Sequence, residues 1–259
     1  MKIKEVMTKD IISVDKDEDL AHVLDLMKKH NITKIPVVED KKIIGIVTDN
    51  LIAYKLGSIR KRNVSTSRLH ASSVTEKEVD IVTSNTEVSD ILKMVGRPGP
   101  TMLPVVDEDK LVGVVTKADL LFLVDSTESV ESIMNRKIHS VSPDDRIIHA
   151  RRMMFDENVA RLLVVDQGML FGIISDIEIA FAFAKLKKSF SIGRQKHVLD
   201  ELLVKKVMKS PVMWSTKQIN ISEAAKIMMK NNIGSLPIIE NEALIGIVTR
   251  TDLLKTVSL

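Results

Sequence analysis

Two Thr-x-x-Asp tetrapeptides, Thr116 with Asp119 and Thr249 with Asp252, have the residue types and spacing that point most directly to chemistry. Each stands where a glycine-led apolar run, Gly113-Val114-Val115 or Gly246-Ile247-Val248, gives way to a helical pattern. A hydroxyl at a helix entrance and a carboxylate three residues later lie on one side of the helix, beside backbone N–H groups that the first turn leaves unpaired. A carboxylate only accepts hydrogen bonds, so the pair suits a ligand with vicinal hydroxyls such as ribose. The same spacing is also a capping box, which satisfies those N–H groups with no ligand. The tetrapeptide alone leaves both readings open. Two related turns are altered: Ser175 is followed by Glu178, a longer acid, and Thr48 by Leu51, with Asp49 out of phase.

Other chemistries find less support. The histidines (His22, His30, His70, His139, His149, His197) never occur at H-x-x-x-H or H-E-x-x-H spacing, so no metal site is expected. The phosphate cradles G-x-x-x-x-G-K-[ST] and G-x-G-x-x-G are missing, and with no cysteine there is no thiolate zinc site or cysteine nucleophile. Met153-Met154 and Met228-Met229 read as core filler. No catalytic constellation emerges, and the chain reads as a non-enzyme without a cofactor.

A chain of 259 residues with 44% hydrophobic side chains can bury real cores. Its 38 basic and 35 acidic residues nearly cancel, so the net charge of +3 provides no global field to recruit nucleic acid or an anionic membrane. Aromatics make up 3%, with Trp214 and Tyr54 the single members of their types, which argues against a base-stacking platform. The absence of cysteine fits a reducing cytoplasm, and no apolar run approaches the roughly 18 residues that span a bilayer. The expectation is a soluble cytoplasmic protein with no membrane partner.

The elements that must position these turns recur four times. Apolar strand, turn and glycine-led strand begin at Ile35, Leu103, Leu162 and Leu236, and each glycine (Gly45, Gly113, Gly172, Gly246) lies nine residues after Pro36, Pro104, Leu163 or Pro237. Upstream of each hairpin, apolar residues at i, i+3, i+4 and i+7 predict a helix with one buried face: Leu20, Val23, Leu24 and Met27; Val88, Ile91, Leu92 and Val95; Ile147, Ala150 and Met154; Ile221, Ala224, Ala225 and Met228. Short β-rich segments precede the helices at 11–14, 81–83, 138–141 and 212–214, and second helices follow the hairpins, as at 117–124 and 250–257. The fold class is α/β (α+β), with repeats at 1–58, 74–125, 129–186 and 202–259. A unit this small leaves an apolar face uncovered, so the repeats should pair. Two long basic linkers, 58–78 (with Arg60, Lys61, Arg62, Arg68) and 186–200 (with Lys187, Lys188, Arg194, Lys196), fall inside the pairs one–two and three–four, which suggests two modules. The linkers are expected to be surface segments that add little to the core.

Each unit resembles a cystathionine-β-synthase (CBS) domain, and two in tandem resemble a Bateman module. The resemblance rests on the opening Val6-Met7-Thr8, Ile133-Met134 and Val207-Met208, the Pro-apolar-apolar strand, and the Gly-apolar-apolar-Thr/Ser entry to a helix. Four copies are similar to the γ subunits of AMP-activated protein kinases. That likeness implies a regulatory sensor of adenine nucleotides (AMP, ADP or ATP) or of S-adenosylmethionine, acting on a protein the sequence does not name, with a second copy of the chain as a candidate partner. It also implies ribose contacts from Thr116, Asp119, Thr249 and Asp252, with Thr48, Ser175 and Glu178 as weaker counterparts. Basic residues just before the Pro position would meet phosphate, namely Lys34 and Arg161, and adenine would lie along the strand near Val82, Thr83 and Val212. The alternative is a nucleic-acid-binding or protein-interaction scaffold that uses the basic linkers.

Overall fold

A computed structural model describes residues 1–57, 65–95, 102–189 and 201–258. Repeat one comprises β1 (Val14–Asp15), α1 (Leu20–His30), β2 (Lys34–Glu39), β3 (Lys42–Thr48) and α2 (Asp49–Gly57). Next come β4 (Thr75–Glu76), α3 (Val88–Val95), β5 (Met102–Asp107) and β6 (Lys110–Thr116) of repeat two. Repeat three has β7 (Ser140–Val141), α4 (Ile147–Asp156), β8 (Arg161–Asp166), β9 (Met169–Ser175) and α5 (Asp176–Ser189), and repeat four has α6 (Ile221–Lys230), β10 (Ser235–Glu240), β11 (Ala243–Thr249) and α7 (Arg250–Leu254).

The expected helix faces are the buried ones. α1 buries Leu20, Val23, Leu24 and Met27, and α6 buries Ile221, Ala224, Ala225 and Met228. Asp19 and Asn220 cap these helices by accepting from the N–H groups of His22 and Glu223. Every hairpin closes on two residues of positive φ (Asp40-Lys41, Glu108-Asp109, Gln167-Gly168, Asn241-Glu242), as the turns that match strand twist require. Glu242 has φ 65, which a side chain resists, so Glu242→Gly is expected to raise stability by up to about 1 kcal/mol in chemical denaturation.

Two compact units contain the four repeats. One is Met1–Ile11, Asp80–Ile138 and Met213–Leu259, and the other is Ile12–Val79 and His139–Val212. Repeats one and three share the second unit, where α2 packs on α5 around the fully buried Ile52, Leu56, Ile179 and Phe183. Repeats two and four share the first, where a 3-10 turn at Leu121–Leu123 packs on α6 and α7, with Leu121 and Leu253 buried. The pairs one–two and three–four expected from the linkers follow chain order and are a separate matter from these shared cores. Linker length limits reach, but the apolar second-helix faces decide which repeats share a core.

Within each unit, the opening segment of one repeat adds to the sheet of another: Thr8 pairs with Val114 and Asn135 with Ile247 in the first unit, Glu76 with Ile46 and Lys209 with Ile173 in the second. The opening methionines reach the hairpin glycines through this exchange. A Cβ at Gly113, Gly172 or Gly246 would stand 2.5, 2.6 or 2.9 Å from the Sδ of Met7, Met208 or Met134. The Val-Met signature and the glycine are thus two halves of one contact. In repeat two Thr75 takes the methionine's place and its Cγ2 would lie 2.4 Å from a Cβ at Gly45.

Four expectations need correction. The segment 65–76 is built into the fold: Leu69, Ala71 and Val74 are buried and the Leu69 carbonyl accepts from Leu20 N at 2.7 Å, so removing 65–72 would open the core. α5 continues through Ser189 with Lys187 buried, so 186–189 is helix; 58–64 and 190–200, with Arg60, Lys61, Arg62, Arg194 and Lys196, lie outside the described residues. After Thr116 the chain forms turns and the 3-10 segment rather than an α-helix. Repeat four makes its parallel bridge at Ser215, opposite Ile238, and not at 212–214, where Trp214 is exposed. Among the described residues, no helix is long and apolar enough to cross a membrane.

Candidate functional site

Thr116 ends β6 and Thr249 ends β11, each at the point where the chain leaves the sheet and turns. Asp119 Oδ2 accepts from Thr116 N and Thr116 Oγ1, both at 2.7 Å. Asp252 Oδ2 accepts from Thr249 N at 2.9 Å and Thr249 Oγ1 at 2.6 Å, and Asp252 N donates back to Thr249 Oγ1 at 3.4 Å. One oxygen of each carboxylate therefore closes its own turn, which at Asp252 is also the cap of α7. The other oxygen has a separate environment: Asp119 Oδ1 accepts from Thr8 Oγ1 at 3.2 Å, and Asp252 Oδ1 lies 3.8 Å from Lys255 Nζ. Both residues are only partly buried. Ser175 and Glu178 repeat the arrangement, with Ser175 N and Oγ donating to Glu178 Oε2, while Oε1 is ion-paired with Lys209 Nζ at 2.8 Å. In repeat one Thr48 Oγ1 accepts only the cap bond from Leu51 N, at 3.3 Å, among the described contacts.

The unit of repeats one and three gathers residues that the motif reading passed over. Asp49 and Asp176, each the residue after the turn hydroxyl, open α2 and α5 and are buried. Lys34 Nζ stands 3.7 Å from Asp49 Oδ1, and Asn50 Nδ2 donates to Asp176 Oδ2 at 3.3 Å. Burial pushes the Asp176 carboxyl up to about 7, the negative charge of Asp49 adds to this, and Asn50, Lys34 and Arg161 oppose it. Burial also pushes Asp49 up, against Lys34. The Arg161 guanidinium is drawn below its usual range by burial, while Asp49, Glu178 and Asp176 hold its charge. Lys34 and Arg161 thus sit among carboxylates of their own unit, whereas Thr116, Asp119, Thr249 and Asp252 belong to the other unit. The signal that could have found this cluster is the residue after the turn hydroxyl. It is Asp in repeats one and three but Lys117 and Arg250 in repeats two and four, where Lys117 Nζ donates to Thr251 Oγ1 at 2.7 Å.

The adenine-side expectation changes. Val82 N donates to the Pro104 carbonyl at 3.0 Å and the Val82 carbonyl accepts from Val106 N at 2.8 Å, so the main chain of Val82 is taken up by the sheet. Thr83 N donates to Thr86 Oγ1 at 3.1 Å. Ser215, not Val212, is the counterpart of Val82 in repeat four. Among the described residues, no group of three or more His, Asp or Glu is placed to hold a metal ion.

Comparison with protein families matches the CBS domain at residues 3–57, 71–126, 130–185 and 204–259. The chain belongs to the CBS-domain family. An uncharacterized protein of Methanocaldococcus jannaschii, MJ1404, is 26% identical over 99% of the chain, which spans 62% of that relative's length. A second protein of the same organism, MJ1225, is 25% identical over 98% of the chain and 97% of its own length. The crystal structure of MJ1225, proposed as an archaeal homologue of γ-AMPK, superposes with a TM-score of 0.86 at 23% identity and covers 100% of both chains. A structure of an uncharacterized Pyrococcus horikoshii protein gives a TM-score of 0.62 at 22% identity, also over 100% of both chains. These likenesses establish a four-CBS fold, and the ligand question returns to the turns.

Proposed function

We propose that this CBS protein is a non-catalytic regulatory protein that binds an adenine nucleoside or nucleotide through the turns of repeats two and four. The observation that carries this reading is the division of labour within each carboxylate. The bonds to Thr116 and Thr249 occupy Oδ2 of Asp119 and Asp252, while Oδ1 meets only a hydroxyl or a distant ammonium among the described contacts, so ribose hydroxyls have an acceptor without opening either turn. AMP, ADP and ATP are the ligands favoured by the likeness to γ subunits, with S-adenosylmethionine sharing the same ribose. Val82 and Thr83 enter as apolar and hydroxyl neighbours of the base rather than as main-chain readers. A phosphate role for Lys34 or Arg161 would draw them from Asp49, Asp176 and Glu178, so it belongs to the charged ligands and adenosine does not need it. The signal passes to a regulated protein, and a second copy of the chain is a candidate partner.

Calorimetry with adenosine, AMP, ADP, ATP and S-adenosylmethionine tests the reading. Asp252→Ala removes the ribose acceptor and should weaken adenosine binding by about 1.5–3 kcal/mol, the range for hydrogen bonds to a charged group. Its folding stability should fall by only about 1 kcal/mol, the cost of a lost cap. Unchanged affinity alongside a clear loss of stability would leave Asp252 as a helix cap alone.

A further inference from the structure

The exchanged opening segments bring one residue of each to the glycine-led strand of another repeat. After the methionine position come Thr8, Glu76, Asn135 and Lys209, which face repeats two, one, four and three through the pairings with Val114, Ile46, Ile247 and Ile173. Two of them meet the second oxygen of a turn carboxylate: Thr8 Oγ1 at 3.2 Å from Asp119 Oδ1, and Lys209 Nζ at 2.8 Å from Glu178 Oε1. The second carboxylate oxygens of repeats two, three and four therefore have different partners. Glu178 is buried and paired with an ammonium, which donates to the oxygen a ribose hydroxyl would use. Asp119 shares its oxygen with a neutral hydroxyl, which can yield or accept a further bond. Asn135 turns its Oδ1 to the Lys137 N–H at 2.9 Å, and among the described contacts Asp252 Oδ1 keeps only that of Lys255 at 3.8 Å. In repeat one an acid, Glu76, comes in opposite a turn that has Leu51 in place of the acceptor.

We infer that the residue after the methionine position is a selector, supplied to each turn by another repeat, that decides which turns accept a ribose: repeat four most readily, repeat two next, repeat three not at all. This rests on the ribose role proposed above and adds that Lys209 acts as an internal ligand for Glu178. Thr8 and Lys209 are both exposed and join the sheet through their main chain, so exchanging their side chains leaves the fold in place.

The test is a reciprocal swap, read residue by residue by 15N NMR of the full chain titrated with adenosine, which lacks phosphate. In the wild type, adenosine should shift the amides around Asp252 and Asp119 and leave those of 175–178 unmoved. Lys209→Thr should create a response at 175–178, and Thr8→Lys should weaken the Asp119 response by about tenfold or more. Selection is overturned if the wild type responds at 175–178 as strongly as at Asp252, or if Lys209→Thr adds no response there while the wild type still binds at repeat four. A wild type that binds nowhere overturns the ribose role itself. In that case a response at 175–178 in Lys209→Thr alone would keep the Lys209 block on Glu178 but overturn the ranking that puts repeat four first, and no response in either protein would sink both.

Discussion

Replacing Phe183 with Ala should cost about 3–5 kcal/mol of stability, the range for removing a large aromatic ring from a closed core. Phe183 lies on α5 and has no exposed surface. Its ring covers the end of α2 so closely that a Cβ at Gly57 would stand 2.7 Å from Cε2. The ring is therefore at the joint where repeats one and three share a core, with Ile52, Leu56 and Ile179 buried around it. Neither repeat can collapse to refill the space alone, because the cavity opens between two helices of different repeats. A thermal scan should show the midpoint falling on the order of 10 °C, and hydrogen exchange should rise first in α2 and α5. A midpoint within a degree or two of the wild type would mean that the α2–α5 contact contributes little, and the two-repeat core would have to be abandoned.

The second large effect depends on pH. Asp176 has an ordinary value of 3.8 and is pushed to about 7, first by burial and then by Asp49, with Asn50, Lys34 and Arg161 working against the rise. Because the folded value is the higher one, the folded state binds the proton more tightly than the unfolded chain. The stabilisation is then complete below 3.8 and is lost as pH rises through about 7. Asp49 is shifted in the same direction and adds to the trend. Asp176→Asn is neutral at every pH and keeps an oxygen for the Asn50 amide. It should be more stable than the wild type by about 2–4 kcal/mol at pH 8 and show no gain near pH 4. Urea midpoints of the two proteins across this range decide it. An equal difference at both ends would mean that the carboxylate is not the titrating group.

Much of the architecture was legible along the chain. The glycine nine residues after the Pro position, the i, i+3, i+4, i+7 faces and the paired turn residues are local patterns, and local geometry enforces them. Leu20, Val23, Leu24 and Met27 had to form one buried face whatever they packed on. The Thr-x-x-Asp turns were legible in the same way, since hydroxyl and carboxylate are three residues apart and bond to each other. The segment 65–76 was misread as linker because its apolar residues, Leu69, Ala71 and Val74, sit among Ser, Thr and Arg in short 3-10 turns that carry no helical or strand period.

What the sequence determined by itself was the repeat, its elements, and the two readings of each turn, because those follow from spacing within about ten residues. Only the tertiary structure decided which repeats share a core, that Met7, Met134 and Met208 fill the space above glycines of another repeat, and that Lys209 reaches Glu178 while Thr8 reaches Asp119. Thr8 and Asp119 are 111 residues apart, and no period along the chain relates them. Their meeting depends on an exchange of segments that is selected by total burial. The same is true of Asp49 and Asp176: each reads as an ordinary exposed helix-starting acid until two helices close over them, and the desolvation that shifts them exists only in the packed state.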